Sequence, residues 1–309
     1  MQSPPLKIGT RGSPLALWQA NDVRSRLIAA HGWQDAQVQV CTFKTSGDKI
    51  QDKSLRSFGG KGLFTKEIED ALLIGDISLA VHSMKDMPTL LPDGLEIAGV
   101  LQREDVRDAF LSHSASSLTD LPKGAVVGTS SLRRQAQVRR LRPDLKIVEF
   151  RGNVETRLRK LSEGVADATF LAAAGLKRLG RPELITAYVE PDEMLPAVAQ
   201  GAICIEIRSD DAATRDLLLE LHHEETAIRV ATERAFLRIL DGSCRTPIAG
   251  LAELDGGRLN FRGQILTPDG TISHETQREG IARDAEAMGV DAAKELLRLG
   301  GANFFKVSD

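Results

Sequence analysis

The stretch Val81–Pro88 (VHSMKDMP) carries several side chains that could do chemistry. An imidazole, a hydroxyl, an ammonium group and a carboxylate follow an apolar run typical of a strand, and open α/β sheets bind ligands beyond the carboxyl ends of their strands. An ionised Asp86 only accepts hydrogen bonds, so it could hold N–H donors of a substrate and stabilise a cation. When protonated it could act as a general acid. The alternative is that Asp86 and Lys85 form a solvated surface pair.

A second candidate is Cys244, in the small-residue segment Gly242–Pro247 (GSCRTP). The glycine, serine and proline predict an exposed turn, and the adjacent Arg245 favours the nucleophilic thiolate. A free cysteine is more often a small buried apolar residue, and we keep that interpretation for Cys41 and Cys204. Three cysteines so far apart argue against a disulfide framework and fit a reducing compartment.

A basic cluster occupies residues 131–160, where ten Arg and Lys residues stand against three acidic ones in a chain of net charge -3. Arg133 and Arg134 lie in a predicted first helical turn. Arg151 ends a strand and Arg157 begins the next helix, so we expect the four guanidinium groups to converge on one rim. Guanidinium groups bind carboxylates bidentately, which favours a polycarboxylate substrate. The alternatives are a solvated helix face and a nucleic-acid patch, but aromatic residues for base stacking make up only 4%.

The polar segment 44–62 ends in Gly59–Gly62 (GGKG) before a predicted helix. It does not match a phosphate-binding loop, because glycine follows Lys61 where serine or threonine is required. A loop of this length is typical of a mobile lid or of a disordered segment, and Lys61 could close over an anionic substrate. The six histidines show no metal-binding spacing, so no metal site is predicted.

The order of predicted elements is typical of α/β domains with largely parallel sheets. Two sets of elements repeat the same logic. The first set has strands at 6–9, 37–43 and 77–81 and helices at 14–27 and 63–74. The second set has strands at 125–127, 146–150 and 168–171 and helices at 132–141 and 154–161.

Each set opens with a strand, a Gly-Thr turn and a serine-capped helix, at residues 8–13 and 127–132. Such a turn directs free N–H groups and the positive end of a helix dipole at one point, which makes an anion site. We therefore expect twin domains that face a cleft. The alternative is that these turns are merely common turn chemistry.

A third, smaller domain is predicted after the strand at 203–207. Helices at 212–222 and 226–240 precede a hairpin at 263–277 and a helix at 284–299. A chain of 309 residues exceeds what one core usually organises, which also indicates several domains. The N-terminus has no basic start followed by an apolar run, so we expect no signal peptide, no membrane partner and a cytoplasmic location.

Six of these segments, taken in order, resemble the hydroxymethylbilane synthase (porphobilinogen deaminase) family over nearly the whole chain. They are GTRGSPLA (9–16), GGKGLF (59–64), VHSMKDMP (81–88), GTSSLRR (128–134), RGN (151–153) and ERAF (233–236), the last leading to GSC (242–244).

The resemblance implies an α/β fold of two periplasmic-binding-protein-like doubly wound domains and a small α+β C-terminal domain with an antiparallel sheet. It implies domain 1 at residues 1–101 with 202–221, domain 2 at 102–201 and domain 3 at 222–309. It also implies a monomer that takes porphobilinogen as substrate, binds no nucleic acid and carries a dipyrromethane cofactor, attached to Cys244 through a thioether. Four deaminating additions and a hydrolysis would then release linear hydroxymethylbilane.

The resemblance also implies roles for single residues, with Asp86 as the catalytic acid and base. Cofactor-binding residues would be Cys244, Ser83, Lys85, Thr129, Ser131, Arg133, Arg134, Arg151, Arg157 and Gln200. Substrate-binding residues would be Arg11, Ser13, Gln19, Lys61, Phe64 and Arg178. Two positions depart from the family pattern: Ala199 replaces a common glycine, and Ser57 stands where many members have a second lysine.

Two other classes of function stay open at this stage. A non-catalytic protein that binds small anions could use the same two-domain scaffold, although Asp86 and Cys244 argue against it. A cysteine hydrolase would need a histidine partner for Cys244, and the nearest ones, His222 and His223, lie in no supporting motif.

Overall fold

The computed structural model describes residues 5–49, 64–240, 246–301 and 304–305. It divides into two compact units. Unit 1 comprises Met1–Glu104 and Ala202–Ala227, and unit 2 comprises Asp105–Gly201 and Ile228–Asp309.

Unit 1 is built on one mixed five-stranded sheet. Its strands are β1 (Leu6–Arg11), β2 (Val38–Phe43), β3 (Leu79–Ser83), β4 (Leu95–Val100) and β10 (Ile203–Arg208), in the order β2-β1-β3-β10-β4. Its helices are α1 (Pro14–His31), α2 (Ser46–Lys49), α3 (Lys66–Leu73) and α7 (Ala212–Leu218). Strand β1 runs parallel to β2 and β3, whereas β10 runs antiparallel to β3 and β4.

Helix α1 begins as its sequence predicts but runs to His31, past the predicted end at Leu27. The Ser13 hydroxyl accepts a hydrogen bond from the backbone N–H of Ala16 at 3.3 Å, and Pro14 occupies the first turn. The helix ends at Gly32, whose φ of 63° is a left-handed conformation that glycine adopts without strain. The buried face of α1 packs on one side of the sheet, and α3 covers the other side.

Unit 2 contains a second five-stranded sheet with the same plan. Its strands are β5 (Asp108–Ser112), β6 (Val126–Gly128), β7 (Lys146–Val148), β8 (Ala168–Ala172) and β9 (Ala187–Val189), in the order β7-β6-β8-β5-β9. Its helices are α4 (Leu132–Leu141), α5 (Val154–Ser162) and α6 (Ala173–Arg178). The three strands β7-β6-β8 are parallel, and β5 is antiparallel to its neighbours β8 and β9.

The C-terminal part of unit 2 is a three-stranded antiparallel sheet with helical cover. Its elements are β11 (Ile248–Asp255), β12 (Arg258–Leu266), β13 (Ser273–Ile281) and α9 (Ala285–Gly300), together with α8 (Glu224–Ile239), whose first four residues belong to unit 1. The rings of Phe236 and Phe261 meet edge to face with centroids 5.0 Å apart, which joins α8 to this sheet. The turn between β12 and β13 reaches α4, since the Arg139 guanidinium donates to the carbonyl oxygen of Pro268 at 2.6 Å.

The predicted fold class is confirmed: two repeated α/β sheets are followed by a small antiparallel sheet. The expectation of largely parallel sheets is wrong for half of the strand pairings, because β10 and β5, each the fourth strand of its sheet, run antiparallel to both neighbours. Strands β4, β5, β9 and β11 were not among the predicted elements. Within the described ranges, no helix combines the length and the apolar character that a membrane crossing requires.

Candidate active site

The predicted catalytic side chains of unit 1 lie at one edge of its sheet. Because β1 and β3 are parallel neighbours, their last residues, Arg11 and Ser83, lie at the same edge. The chain leaves β3 through a short 3-10 turn, Met84–Asp86, in which the N–H of Met84 donates to the Ala202 carbonyl oxygen at 3.0 Å. Asp86 ends this turn and is exposed to solvent.

Several neighbours of Asp86 are held in place by side-chain contacts. The buried Gln19 amide donates to the Ser83 hydroxyl at 2.8 Å, and the hydroxyl in turn donates to the Gln19 carbonyl oxygen at 3.2 Å. The Arg11 guanidinium lies 4.4 Å from the centroid of the Phe64 ring. Unit 1 therefore brings together Arg11, Ser13, Gln19, Phe64, Ser83, Lys85 and Asp86 at one sheet edge.

In unit 2 the Gly-Thr turn after β6 forms the capped helix start that the sequence predicts. The Ser131 hydroxyl accepts from the backbone N–H of Arg134 at 3.5 Å and so caps α4. The buried Thr129 hydroxyl accepts from the N–H of Ser131 at 3.2 Å. Both predicted binding hydroxyls thus also order the turn.

Arg133 and Arg134 are buried rather than placed on an open rim, and Asp108 is the reason. Its Oδ2 accepts from Arg133 at 2.8 Å and its Oδ1 accepts from Arg134 at 2.6 Å. Arg134 also donates to the Phe170 carbonyl oxygen, and Arg133 to that of Leu195. Sequence reasoning missed Asp108, although a carboxylate just before the apolar run of a buried strand is a signal that could have found it.

The Asp108 carboxylate stays ionised in this buried position. Burial by itself raises the pKa of Asp108, but attraction to Arg133 and Arg134 outweighs it and holds that pKa well below its usual range. Burial lowers the pKa of Arg133, although the nearby carboxylate acts in the opposite direction. Two guanidinium groups thus face one carboxylate, which leaves an excess of positive charge.

The Nε–H of Arg133 is buried and has no hydrogen-bond acceptor in the part of the chain that the structure describes. A buried donor of this kind is costly unless something satisfies it. Together with the excess charge, it suits an anionic group such as a carboxylate.

The other predicted binding residues of unit 2 lie near the same sheet edge or make contacts with its loops. The Gln200 amide is fully buried and donates to Asp108 Oδ1 at 3.0 Å and to the Val106 carbonyl oxygen at 2.8 Å. Arg178 donates to the Gly201 carbonyl oxygen at 2.7 Å. Arg157 donates through Nε to the Gly152 carbonyl oxygen at 2.9 Å. The half-buried Arg151 lies 3.9 Å from Glu149.

Two predicted residues, Cys244 and Lys61, lie outside the described residues, as does Ser57. The other cysteines pack within strands, Cys204 buried in β10 and Cys41 half-buried in β2. Within the described ranges, no group of His, Cys, Asp and Glu side chains could hold a metal ion.

Comparison with known proteins identifies the family. Residues 6–216 match the family described as "Porphobilinogen deaminase, dipyromethane cofactor binding domain", and residues 227–298 match "Porphobilinogen deaminase, C-terminal domain". The chain belongs to the porphobilinogen deaminase family. The resemblance drawn from the sequence is thereby confirmed.

Individual relatives in this family are similar over nearly their full length. "Porphobilinogen deaminase" from Paracoccus denitrificans (strain Pd 1222) is 59% identical, with 97% of this chain and 96% of the relative covered. That from Nitrobacter hamburgensis (strain DSM 10229 / NCIMB 13809 / X14) is 58% identical, with 96% and 94% covered.

Solved structures that match this chain at TM-scores under 0.5 include two bacterial binding proteins. A putative methionine-binding lipoprotein from Bacillus subtilis has a TM-score of 0.44 at 13% identity, with 72% of this chain and 92% of that chain covered. A periplasmic substrate-binding protein of an ABC transporter from Coxiella burnetii has a TM-score of 0.43 at 15% identity, with 74% and 96% covered.

Proposed function

We propose that this chain joins four porphobilinogen molecules on a covalent dipyrromethane primer and releases linear hydroxymethylbilane by hydrolysis. The observation that carries the proposal is membership of the porphobilinogen deaminase family, with the match to the cofactor-binding domain over residues 6–216. Members of this family are transferases of tetrapyrrole and haem biosynthesis. We further propose that the enzyme acts in the cytoplasm as a monomer.

The donor groups of unit 2 fit a cofactor that bears acidic side chains. Arg133 offers a buried Nε–H that has no acceptor among the described residues, beside an excess of positive charge, which suits an acetate or propionate carboxylate. Cys244 would hold the cofactor through a thioether. The other proposed cofactor-binding residues are Ser83, Lys85, Thr129, Ser131, Arg134, Arg151, Arg157 and Gln200. When bound, the cofactor supplies the free pyrrole α-carbon that attacks each incoming unit.

Asp86 is the proposed acid and base. Each addition breaks the bond between the aminomethyl carbon of porphobilinogen and its nitrogen, and the departing ammonia needs a proton. The resulting pyrrolic cation is stabilised by an adjacent carboxylate, which accepts hydrogen bonds from ring N–H groups. Once the new carbon–carbon bond has formed, the displaced ring proton is taken up by Asp86, which restores the acid for the next round.

The remaining proposed residues bind the substrate. Guanidinium and ammonium groups pair with the carboxylates of porphobilinogen, and the Phe64 ring with the Gln19 amide shapes the site. These residues are Arg11, Ser13, Gln19, Lys61, Phe64 and Arg178. We also propose three domains, residues 1–101 with 202–221, 102–201 and 222–309.

Intact-protein mass spectrometry tests the proposal. The purified chain should carry a two-ring adduct, and brief exposure to porphobilinogen should add one-ring increments. Cys244→Ala should abolish the adduct while the chain still folds. The matched control is Cys41→Ala, a half-buried strand cysteine that should leave the adduct in place.

Two results would contradict this function. A chain that binds porphobilinogen without any mass increment would be a binding protein and not a transferase. An adduct that persists in Cys244→Ala would show that another residue anchors the cofactor.

A further inference from the structure

Glu233 is a fully buried carboxylate on α8 that bonds to backbone groups of two distant segments. Its Oε2 accepts from the backbone N–H of Ala199 at 2.5 Å, and its Oε1 accepts from that of Ala252 at 2.8 Å. Ala199 lies in the turn that ends unit 2's first segment, and Ala252 lies in β11. One side chain therefore ties a helix, a turn and the C-terminal sheet together within unit 2.

The turn that Glu233 holds has an unfavourable backbone conformation. Ala199 has a φ of 60°, and it is the one non-glycine residue with positive φ in the described part of the chain. A Cβ group disfavours this left-handed region, so the conformation persists only where surrounding contacts impose it. The charge-assisted bond from Ala199 N–H to the Glu233 carboxylate is such a contact.

The residue after this turn reaches the arginine pair. Gln200 has no exposed surface, and its amide donates to Asp108 Oδ1 at 3.0 Å. The same carboxylate holds Arg134 at 2.6 Å and Arg133 at 2.8 Å. An unbroken series of contacts therefore leads from Glu233 through the backbone at Ala199 to both guanidinium groups.

We propose that Glu233 is a positioning residue for the arginine pair. Its carboxylate holds the left-handed turn at Ala199, and this turn directs the Gln200 side chain onto Asp108. Asp108 then orients Arg133 and Arg134 to receive an acidic group of the cofactor. The last step rests on the proposed function, but the earlier steps do not. Glu233 is the first residue of the ERAF segment, and the family motif alone implies no role for it.

The test measures the arginine side chains directly. In the full chain carrying Cys244→Ala, the ¹H–¹⁵N signals of the Arg133 and Arg134 Nε–H groups are recorded with and without Glu233→Gln. A glutamine side chain offers one oxygen to two N–H donors, so one of the two backbone bonds is lost. We expect both signals to shift and their exchange with water to become about tenfold faster as the local structure opens more readily.

A matched control and a rescue separate positioning from a general loss of stability. Thr232→Val removes a partly buried hydrogen bond of the same helix, from the Thr232 hydroxyl to the Ile228 carbonyl oxygen at 3.0 Å, and should leave the arginine signals unchanged. Adding Ala199→Gly to Glu233→Gln should restore part of the original signals, because glycine adopts the left-handed turn without strain.

Unchanged Nε–H signals in Glu233→Gln, or no recovery in the double variant, would overturn the proposal. If Glu233→Gln does not fold, the same measurements are made on Glu233→Asp, whose shorter side chain cannot reach both backbone N–H groups. The same results would then support or overturn the proposal. The cofactor content of native-cysteine Glu233→Gln is then measured by intact mass, and it should fall about tenfold, as expected for a displaced charge-assisted contact. Shifted arginine signals with full cofactor content would leave the positioning role intact and count against the proposed function of the arginine pair.

Discussion

Asp108 and Arg134 form a buried ion pair, with Oδ1 and Nη2 2.6 Å apart and only 0% and 6% of the two side chains exposed. Arg133 joins the same carboxylate from the other side at 2.8 Å. Neither arginine can leave this arrangement without exposing an uncompensated buried charge. The Asp108 carboxylate therefore fixes the orientation of both guanidinium groups in unit 2.

Asp108→Asn should destabilise the chain in a pH-dependent way. The folded-state pKa of Asp108 is depressed, so its contribution is present above the unfolded pKa of about 4 and is lost as pH falls through the folded pKa. Removing one charge of a buried pair costs about 3–5 kcal/mol of unfolding free energy near neutral pH. Urea unfolding should give a constant difference from the native chain between about pH 5 and 8, which shrinks below about pH 4.

The control for this prediction is Asp144→Asn. Asp144 pairs with Arg142 at 2.7 Å, but both side chains are partly solvated, so the cost should be far smaller. If the difference in unfolding free energy between Asp108→Asn and the native chain does not shrink below about pH 4, Asp108 is not an ionised carboxylate stabilised by its arginine partners.

Asp86→Asn should abolish most catalysis while leaving the fold intact. The side chain is exposed, so its amide costs little stability, but the amide cannot take up a proton or balance a cation. We expect turnover in a porphobilinogen consumption assay to fall about 10²–10³-fold, the range seen when one electrostatic group is removed. Asp93→Asn, at an exposed carboxylate in the loop before β4, should turn over normally. Near-native rates in Asp86→Asn would exclude the acid and base role.

Ala199→Gly should stabilise the chain. The left-handed backbone costs alanine about 1–2 kcal/mol, and glycine avoids that cost while losing about 0.5–1 kcal/mol in chain entropy. The unfolding free energy in urea should therefore rise by about 0.5–1 kcal/mol. Ala197→Gly, two residues earlier and without a positive φ, should lower it instead. Equal effects of the two substitutions would show that Ala199 is not strained.

Gly270→Ala should loosen the contact between the β12–β13 turn and α4. A Cβ at Gly270 would lie 2.4 Å from the carbonyl oxygen of Ala136, and the residue has a φ of 75°. Backbone must move to admit the methyl group, at a cost of about 1–3 kcal/mol. The control is Gly256→Ala, because Gly256 also has a positive φ but no atom lies within 4 Å of the added Cβ. The difference between the melting temperatures of the two variants therefore isolates the contact with α4. Equal losses of thermal stability in the two variants would mean that the β12–β13 turn can move away from α4 at little cost.

Local sequence was sufficient for the features that depend on near neighbours. Helix α4 was predicted at its observed bounds, because Ser131 caps it and its apolar residues have helical spacing. The repeated Gly-Thr turns, and hence the twin sheets, were found for the same reason. Motifs in sequence order were enough to place Asp86 just beyond the end of a strand and to place the chain in its family.

Tertiary structure alone decided which side chains meet. Asp108 lies 25 and 26 residues before the arginines that it holds, and Glu233 lies 34 residues after Ala199. No periodicity or capping pattern links residues so far apart, because such contacts are set by how strands pair and pack. The antiparallel strands β5 and β10 and the left-handed backbone of Ala199 have the same origin: burial and pairing in the folded chain outweigh local preference.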